Sequence, residues 1–280
     1  MANLTILRTY ALKDPATLPA SVLFSHSEKT LTIYDAYPKS IFHFLVLPRV
    51  LSPTTPTPSA TASPQSATAT SDLVIPSPSV ADLSSLRILL NSKDVSKEQA
   101  KQVILSLKED ATRLKDEIEQ EMEKRYGFIW DVWIGFHGTP SIEHIHLHVL
   151  SADLCSDRMK NKKHYNSFHP KLGFFLHIDE VLAWFEAVPS YYQDMAKLPR
   201  KEFENLLKNP LICFRCGVES KNMPSLKAHL QKEWEKLKAR AETRKKRKEV
   251  SSIPQEPTST TSFERGDGSP APKKIKMDKA

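Results

Sequence analysis

Residues 144–150 read His-Ile-His-Leu-His-Val-Leu, and this alternation decides how the rest of the chain is read. On an extended strand successive side chains leave opposite faces. His144, His146 and His148 then share one face and Ile145, Leu147 and Val149 the other, so one side of the strand is chemical and one is core. Isolated strand histidines are ordinary, but three in register with an apolar residue in every gap are not. Such a row serves either metal coordination by neutral rings or nucleophilic attack by one ring that its neighbours orient. A metal site on one strand needs carboxylate company, and the nearest carboxylate, Glu143, is expected on the opposite face, which weighs toward the nucleophile.

Working outward, FIWDVWIGFHG (128–138) alternates as a hairpin partner of that strand, and VLFSHSEKTLTIYDAYPKSIFHFLVLP (22–48) reads as a three-stranded meander. Val103, Ile104, Leu107, Leu114, Ile118 and Met122 recur at helical spacing within 96–126, a helix that Gly127 closes. The fold class is therefore α+β, with an antiparallel sheet and helices. Residues 51–79 are rich in Pro, Ser, Thr and Ala and hold too little apolar surface to offset ordering entropy, so a disordered insertion is expected there. A further apolar segment spans Phe174 to Phe185, and a helix is expected near Met195 to Leu207. Three segments result: a core over 1–190, a linker helix and small metal-binding unit over 191–240, and a disordered basic tail over 241–280.

The formal charge of +7 favours a polyanionic partner. Of three cysteines, Cys213 and Cys216 form a CxxC and Cys155 stands alone, which argues against a disulfide framework and for a reducing compartment. No membrane partner is expected, because no apolar stretch reaches spanning length. Cys213-x2-Cys216, twelve residues and then His229-x3-Glu233 reproduce the spacing of a ββα zinc finger with glutamate in the last position. His229 and Glu233 fall one helical turn apart, and a structural zinc is the expected cofactor. Lys227, Lys232 and Lys236 on the same helix suit contact with a phosphate backbone. The clusters Arg244–Lys248 and Lys273–Lys276 read as import signals and predict a nuclear protein.

His144 to Leu150 resembles the signature of the histidine-triad family, and His43-Phe44-Leu45-Val46-Leu47-Pro48 is similar to that family's second hallmark strand. The resemblance implies that His146 attacks the α-phosphate of a nucleotide and forms a nucleotidyl-histidine that water hydrolyses. It further implies that His144 and His148 hold the ring and the phosphate oxygens, that His43 is an additional orienting imidazole, and that Asp35 holds the ribose. Tyr37-Pro38-Lys39, Gly135 to Ser141 and Lys160 to Phe168, with Tyr165 where tryptophan can stand, resemble the aprataxin branch of the family. That resemblance implies removal of AMP from adenylated 5′ ends of nicked or broken double-stranded DNA, with RNA–DNA junctions and guanylated 3′ ends as further candidate substrates and AMP as product. It also implies that His137 assists the leaving group, that Ser141, Lys39 and Lys163 contact phosphate, and that Lys162 meets DNA. Glutamate as the fourth metal ligand is similar to the fungal type. Leu23 and Phe24 are candidates for the base pocket. A short helix over Leu4 to Ala11 with Tyr10 exposed would contact the terminal base pair. No forkhead-associated-type domain is expected ahead of strands that begin by Val22, and a monomer is expected on DNA. Two alternatives stand beside this reading: a hydrolase of small AMP conjugates, and a DNA-end-binding protein without catalysis.

Overall fold

The computed structural model describes residues 3–50 and 77–251; residues 51–76 of the expected insertion and the tail beyond 251, with its Lys273–Lys276 cluster, lie outside them. The fold is α+β. After helix α1 (Ile6–Ala11) come strands β1 (Leu23–His26), β2 (Thr30–Tyr34) and β3 (His43–Pro48), the meander read from the sequence. Helices α2 (Leu86–Asn91) and α3 (Lys97–Tyr126) precede β4 (Val132–His137) and β5 (Leu147–Ser151). Then follow α4 (Lys162–Phe168), β6 (Phe175–His177) and α5 (Ile178–Glu186). The six strands form one antiparallel sheet in the order β1-β2-β3-β5-β4-β6, so the histidine strand β5 sits at its centre.

Helix α3 explains why the sheet has two unlike faces. A capping box starts it, with the Ser96 hydroxyl accepting from Gln99 N–H and the Gln99 side chain accepting from Ser96 N–H, and Gly127 at φ 73° ends it. Its buried stripe of Ala100, Ile104, Leu107, Ala111, Leu114, Ile118 and Met122 packs in one core with Phe44, Val46, Leu147 and Val149. Burying each large member contributes about 1.5–3 kcal/mol, so the register of β3 and β5 is fixed from this side. Their intervening residues must then face away. There Leu45 and Leu47 join Leu31, Ile33, Leu18 and Leu7 of α1 in a second, smaller cluster, and the histidines take the rest of the face.

The structure departs from the sequence reading in three places. The single helix expected near Met195–Leu207 is two, α6 (Pro189–Ala196) and α7 (Arg200–Leu206), because Leu198 turns to φ 37° and Pro199 cannot continue a helix. The metal-binding unit does not stand apart. Its hairpin β7 (Leu211–Ile212) and β8 (Glu219–Ser220) and helix α8 (Met223–Ser251) contribute Leu211, Phe214, Leu226, Leu230 and Trp234 to the same core as α3, and Met1–Glu242 form one unit. Trp234 lies against Tyr126, Phe128 and Trp130 with ring centroids 5.6, 5.6 and 5.5 Å away. Finally, α8 runs past Arg240 to Ser251, since KARAETRKKRKE is made of good helix formers with no Gly or Pro to stop it. From Thr243 onward the residues belong to a second unit, described as helix to Ser251. Among the described residues no helix is long and apolar enough to cross a membrane.

Candidate active site

On the histidine side of the sheet a cavity of about 510 Å³ is lined by Asp35, Lys39, His137, Ser141, His146, His148 and Lys163. Residues from four separate stretches of sequence therefore converge. Strand β4 and the loop after it supply His137 and Ser141, β5 and the residue just ahead of it supply His148 and His146, the loop before β3 supplies Asp35 and Lys39, and α4 supplies Lys163. Arg158, Lys160 and Phe168 also line it, though nothing singled them out individually in the sequence. Lys160 and Phe168 were legible only as members of the 160–168 motif, and Arg158 belongs to no motif.

Hydrogen bonds fix the protons on the rings. His146 Nδ1 lies 2.8 Å from the His144 carbonyl, which can only accept, so Nδ1 carries the hydrogen and Nε2 keeps its lone pair. The Lys39 backbone N–H donates to His43 Nδ1 at 3.1 Å, leaving the hydrogen of that neutral ring on Nε2. From there it donates to His148 Nδ1 at 3.0 Å, which places the hydrogen of His148 on its own Nε2. That Nε2 is buried without a partner, as is Nε2 of His137. Unmatched buried polar atoms are costly, and a phosphate oxygen is a fitting acceptor for the one on His148. The centre is thus a nucleophilic nitrogen beside a free donor.

Burial keeps these rings neutral. It pulls His43 down to about 4 against a partial opposing pull from Asp35, with Lys39 and His146 adding to the lowering. His137 and His148 are pushed well below the ordinary value by the same desolvation, with His146, His43 and Lys39 adding to the lowering of both and His137 to that of His148. His146 is lowered by burial, countered in part by its bond to His144 and by Asp35. Lys39 is lowered by burial, opposed by Asp35 and assisted by Arg158. Asp35 accepts from Tyr37 N–H and sits 3.6 Å from His43 Nε2. The loop that carries Lys39 and leads into His43 at the start of β3 is clamped from the end of β5. Asp153, 2% exposed, accepts Ile41 N–H, and the Ser151 hydroxyl accepts Phe42 N–H. Asp35, His43 and His148 also offer ligand atoms within 4.8 Å of one another, but the relay just described uses those ring nitrogens.

His144 is not where strand alternation placed it. Strand β5 begins only at Leu147, and His144 lies before it at φ 87°. The reason is that its N–H and that of Ile145 bond to the Ser84 and Leu83 carbonyls, not to the sheet. Its ring turns away from the cavity and donates Nε2–H to the Pro48 carbonyl at 2.8 Å. His144 therefore serves His146 through its backbone. Glu143, weighed as a metal ligand, pairs with Arg8 at 2.8 Å. Leu23 and Phe24 do not line the cavity. Leu23 packs with the Leu45 cluster, while Phe24 packs edge-on against Tyr34 and Phe44 in contact with the α3 core. Tyr10, expected exposed, is half-buried against the Leu45 cluster, because α1 starts at Ile6 and turns that side inward.

Cys213, Cys216 and His229 bring their ligand atoms within 4.8 Å of one another, with Cys216 Sγ 3.1 Å from His229 Nε2. Two thiols and an imidazole at this spacing are the donor set of a tetrahedral structural metal site. Glu233 lies outside that group and takes Lys236 Nζ at 2.7 Å. The finger is tied to α4 by Tyr165, whose hydroxyl donates to the Ile212 carbonyl at 2.8 Å and accepts from Phe214 N–H at 3.0 Å. Lys227 pairs with Asp157 at 3.5 Å, whereas Lys162 and Lys232 are exposed.

Two family models match the chain. Residues 72–164 match the scavenger mRNA decapping enzyme C-terminal binding family, and residues 171–236 match the C2HE / C2H2 / C2HC zinc-binding finger. Similar sequences include the aprataxin of Gallus gallus, 31% identical over 209 residues, which are 75% of this chain and 50% of that protein. The aprataxin-like protein of Drosophila melanogaster is 30% identical over 220 residues, 79% of this chain and 25% of that protein. That of Saccharomyces cerevisiae is 29% identical over 231 residues, 80% and 95% of the two. The chain thus spans a quarter of the Drosophila relative and half of the Gallus one. Among solved structures, Hnt3 in complex with DNA and guanosine shares the fold at a TM-score of 0.55, with 21% identity and coverage of 86% of this chain and 100% of that one. The aprataxin ortholog Hnt3 in complex with DNA does so at 0.52, with 23% identity and coverage of 86% and 98%.

Proposed function

The chain belongs to the aprataxin-type histidine-triad proteins, and from that premise we propose that it hydrolyses AMP from adenylated DNA 5′ ends, leaving a 5′-phosphate that can be religated. The observation that carries the reading is the proton arrangement: His146 Nε2 has a free lone pair, and His148 Nε2–H is an unpaired donor beside it.

In this reading the His146 Nε2 lone pair forms a bond to the α-phosphorus, and the bond from that phosphorus to the bridging oxygen breaks. The bridging oxygen leaves with the electron pair as part of the DNA 5′-phosphate. His137 faces that oxygen; the leaving group is a phosphate monoester, so it needs only modest assistance. The positive charge left on the phosphorylated ring is met by the Nδ1–H bond to the His144 carbonyl. His148 Nε2–H bonds an oxygen on the phosphorus, and Lys39, Lys163 and Ser141 hold the neighbouring phosphate. Asp35 takes the ribose hydroxyls. Water then bonds to phosphorus as the Nε2–P bond breaks with its electron pair returning to Nε2; the proton shed by the attacking water passes to solvent, and AMP leaves with His146 neutral again. The same cavity would accept a guanylated 3′ end or an RNA–DNA junction, since its contacts are to phosphate and ribose.

Cys213, Cys216 and His229 would hold a structural zinc, with Glu233 turning from Lys236 to complete the tetrahedron. Lys162, Lys227, Lys232 and Lys236 would meet the DNA backbone, with Tyr10 and α1 near the terminal base pair. The protein would act as a monomer in the nucleus, consistent with its Arg244–Lys248 run. To test the chemistry, mix the protein with duplex carrying a radiolabelled 5′-adenylate, quench, and map the adduct by mass spectrometry. AMP on His146 is expected, and His146→Ala should lose at least ~10³-fold in turnover while still binding DNA. Turnover without a His146 adduct would overturn the covalent route, and preference for a free AMP conjugate would overturn the DNA substrate.

A further inference from the structure

The carbonyl that sets the proton on His146 belongs to His144, a non-glycine residue at φ 87°. Side-chain-bearing residues rarely hold that conformation unless their surroundings over-determine it. Here they do. The peptide N–H groups of His144 and Ile145 bond to Ser84 and Leu83, each at 2.8 Å, and the His144 ring bonds to Pro48 at 2.8 Å. The remaining support comes from α1 and the residues leading into it. Glu143 N–H donates to the Leu4 carbonyl at 2.8 Å, and the Glu143 carboxylate accepts from Arg8 at 2.8 Å. Arg8 is anchored in turn because its neighbour Leu7 is buried in the Leu45 cluster.

We propose that the Arg8–Glu143 ion pair is a positioning device for the nucleophile, fastening α1 to the peptide that directs the His146 lone pair at the substrate. The argument is geometric. Glu143 is joined to His144 by one peptide bond, so its side chain steadies a backbone whose course the bonds to Leu4, Ser84 and Leu83 set; freeing it widens the motion of the His144 carbonyl and loosens its bond to His146 Nδ1. Whenever that acceptor is out of reach the ring hydrogen can reside on Nε2, and a protonated Nε2 cannot attack phosphorus. The loop freed with it carries Thr139 and Ser141, both of which line the cavity. Meanwhile the pair is 38% and 35% exposed, so its own contribution to folding is small. Removing it should therefore disturb the nucleophile without unfolding the protein.

The inference rests on His146 being the nucleophile. It is tested in the full chain with Arg8→Ala, Glu143→Gln, Arg8→Lys and the exchanged pair Arg8→Glu with Glu143→Arg. Two readouts are taken: kcat and KM on adenylated duplex, and exchange of the His146 Nδ1–H proton by NMR in protein without substrate. The two single removals should lower kcat about fivefold with KM within about twofold, and speed exchange of that proton. Arg8→Lys and the exchanged pair should return both readouts to within about twofold of the parent. Unchanged kcat, failure of the exchanged pair to restore a loss, or an unmoved ring proton would each overturn the proposal. Should the parent protein form no His146 adduct, it is the functional reading that fails, and the NMR comparison still decides whether the pair orients the ring.

Discussion

The molecule holds two clusters of ligand-type side chains, and the chain treats them in opposite ways. Around His146 the rings of His43, His144, His146 and His148 are buried, and the hydrogen bonds of His43, His146 and His148 set where their protons lie. At the finger, Cys216 is exposed, His229 is half-buried, and the two face each other at 3.1 Å. The prospective fourth partner, Glu233, is engaged elsewhere with Lys236. The first cluster is organised by the protein before anything binds, whereas the second is to be organised by what it binds. Preorganisation suits a site that must act on a transient charge; a structural metal site gains its order from the metal.

Metal removal should therefore produce the largest effect. Because Phe214, Leu226, Leu230 and Trp234 belong to the core that α3 and the sheet share, loss of zinc should weaken all of Met1–Glu242 and not only the finger. Structural zinc contributes on the order of 10 kcal/mol of apparent binding free energy in small fingers, so a chelator or Cys216→Ser should lower the melting temperature by more than about 10 °C. Calorimetry should show a single transition before and after. Two separate transitions, with the sheet melting unchanged, would break the comparison by showing the finger to be an independent body.

The difference also explains what could be read from the sequence. The meander, α3 and the central histidine strand were legible because hydrophobic periodicity carries over long segments: Ile104, Leu107, Leu114, Ile118 and Met122 mark one helix face without ambiguity. Cys213, Cys216 and His229 were legible because ligand spacing is local. His144 was misplaced because alternation assumes a strand, and the bonds that pull it out come from Leu83 and Ser84, some sixty residues earlier. Arg158 and the Asp153 clamp were invisible for the same reason, since each acts on the Tyr37–His43 loop across more than a hundred positions. The fusion of finger and core was equally unreadable, because a Trp234 that packs on Tyr126 and Trp130 looks in sequence like any helix tryptophan.

The pH dependence sharpens the contrast at an intermediate scale. His43 and His144 are each held near 4, against 6.5 for a free ring, chiefly by burial. Below pH 6.5 the unfolded chain takes up protons on these rings that the folded chain refuses until about 4. The stability they contribute is thus present above 6.5 and lost as pH falls toward 4, with a slope of about 1.4 kcal/mol per pH unit for each ring. Urea midpoints taken between pH 7 and 4.5 check this. The share of a single ring is read as the slope that His144→Asn removes. An unaltered slope in that variant would mean that the ring is solvated and the buried cluster less closed than described.

The smallest effect concerns the lysines of α8, and it tests how the two clusters meet the same polyanion. In the structure Lys232 is exposed with no partner among the described residues, while Lys236 is held by Glu233. If both contact DNA phosphate, each should contribute about 0.9 to the slope of log K against log salt. Without metal, however, Lys236 must first leave Glu233, so Lys236→Ala should change the slope less than Lys232→Ala. With zinc bound and Glu233 recruited to it, Lys236 is released and the two substitutions should become equal. Binding isotherms over a salt series, with and without zinc, therefore report on the fourth ligand through a lysine that touches no metal. Equal slopes in the zinc-free protein would show that the Glu233–Lys236 pair never restrains the lysine. A persistent difference with zinc bound would mean that Glu233 stays with Lys236 and that another ligand completes the site.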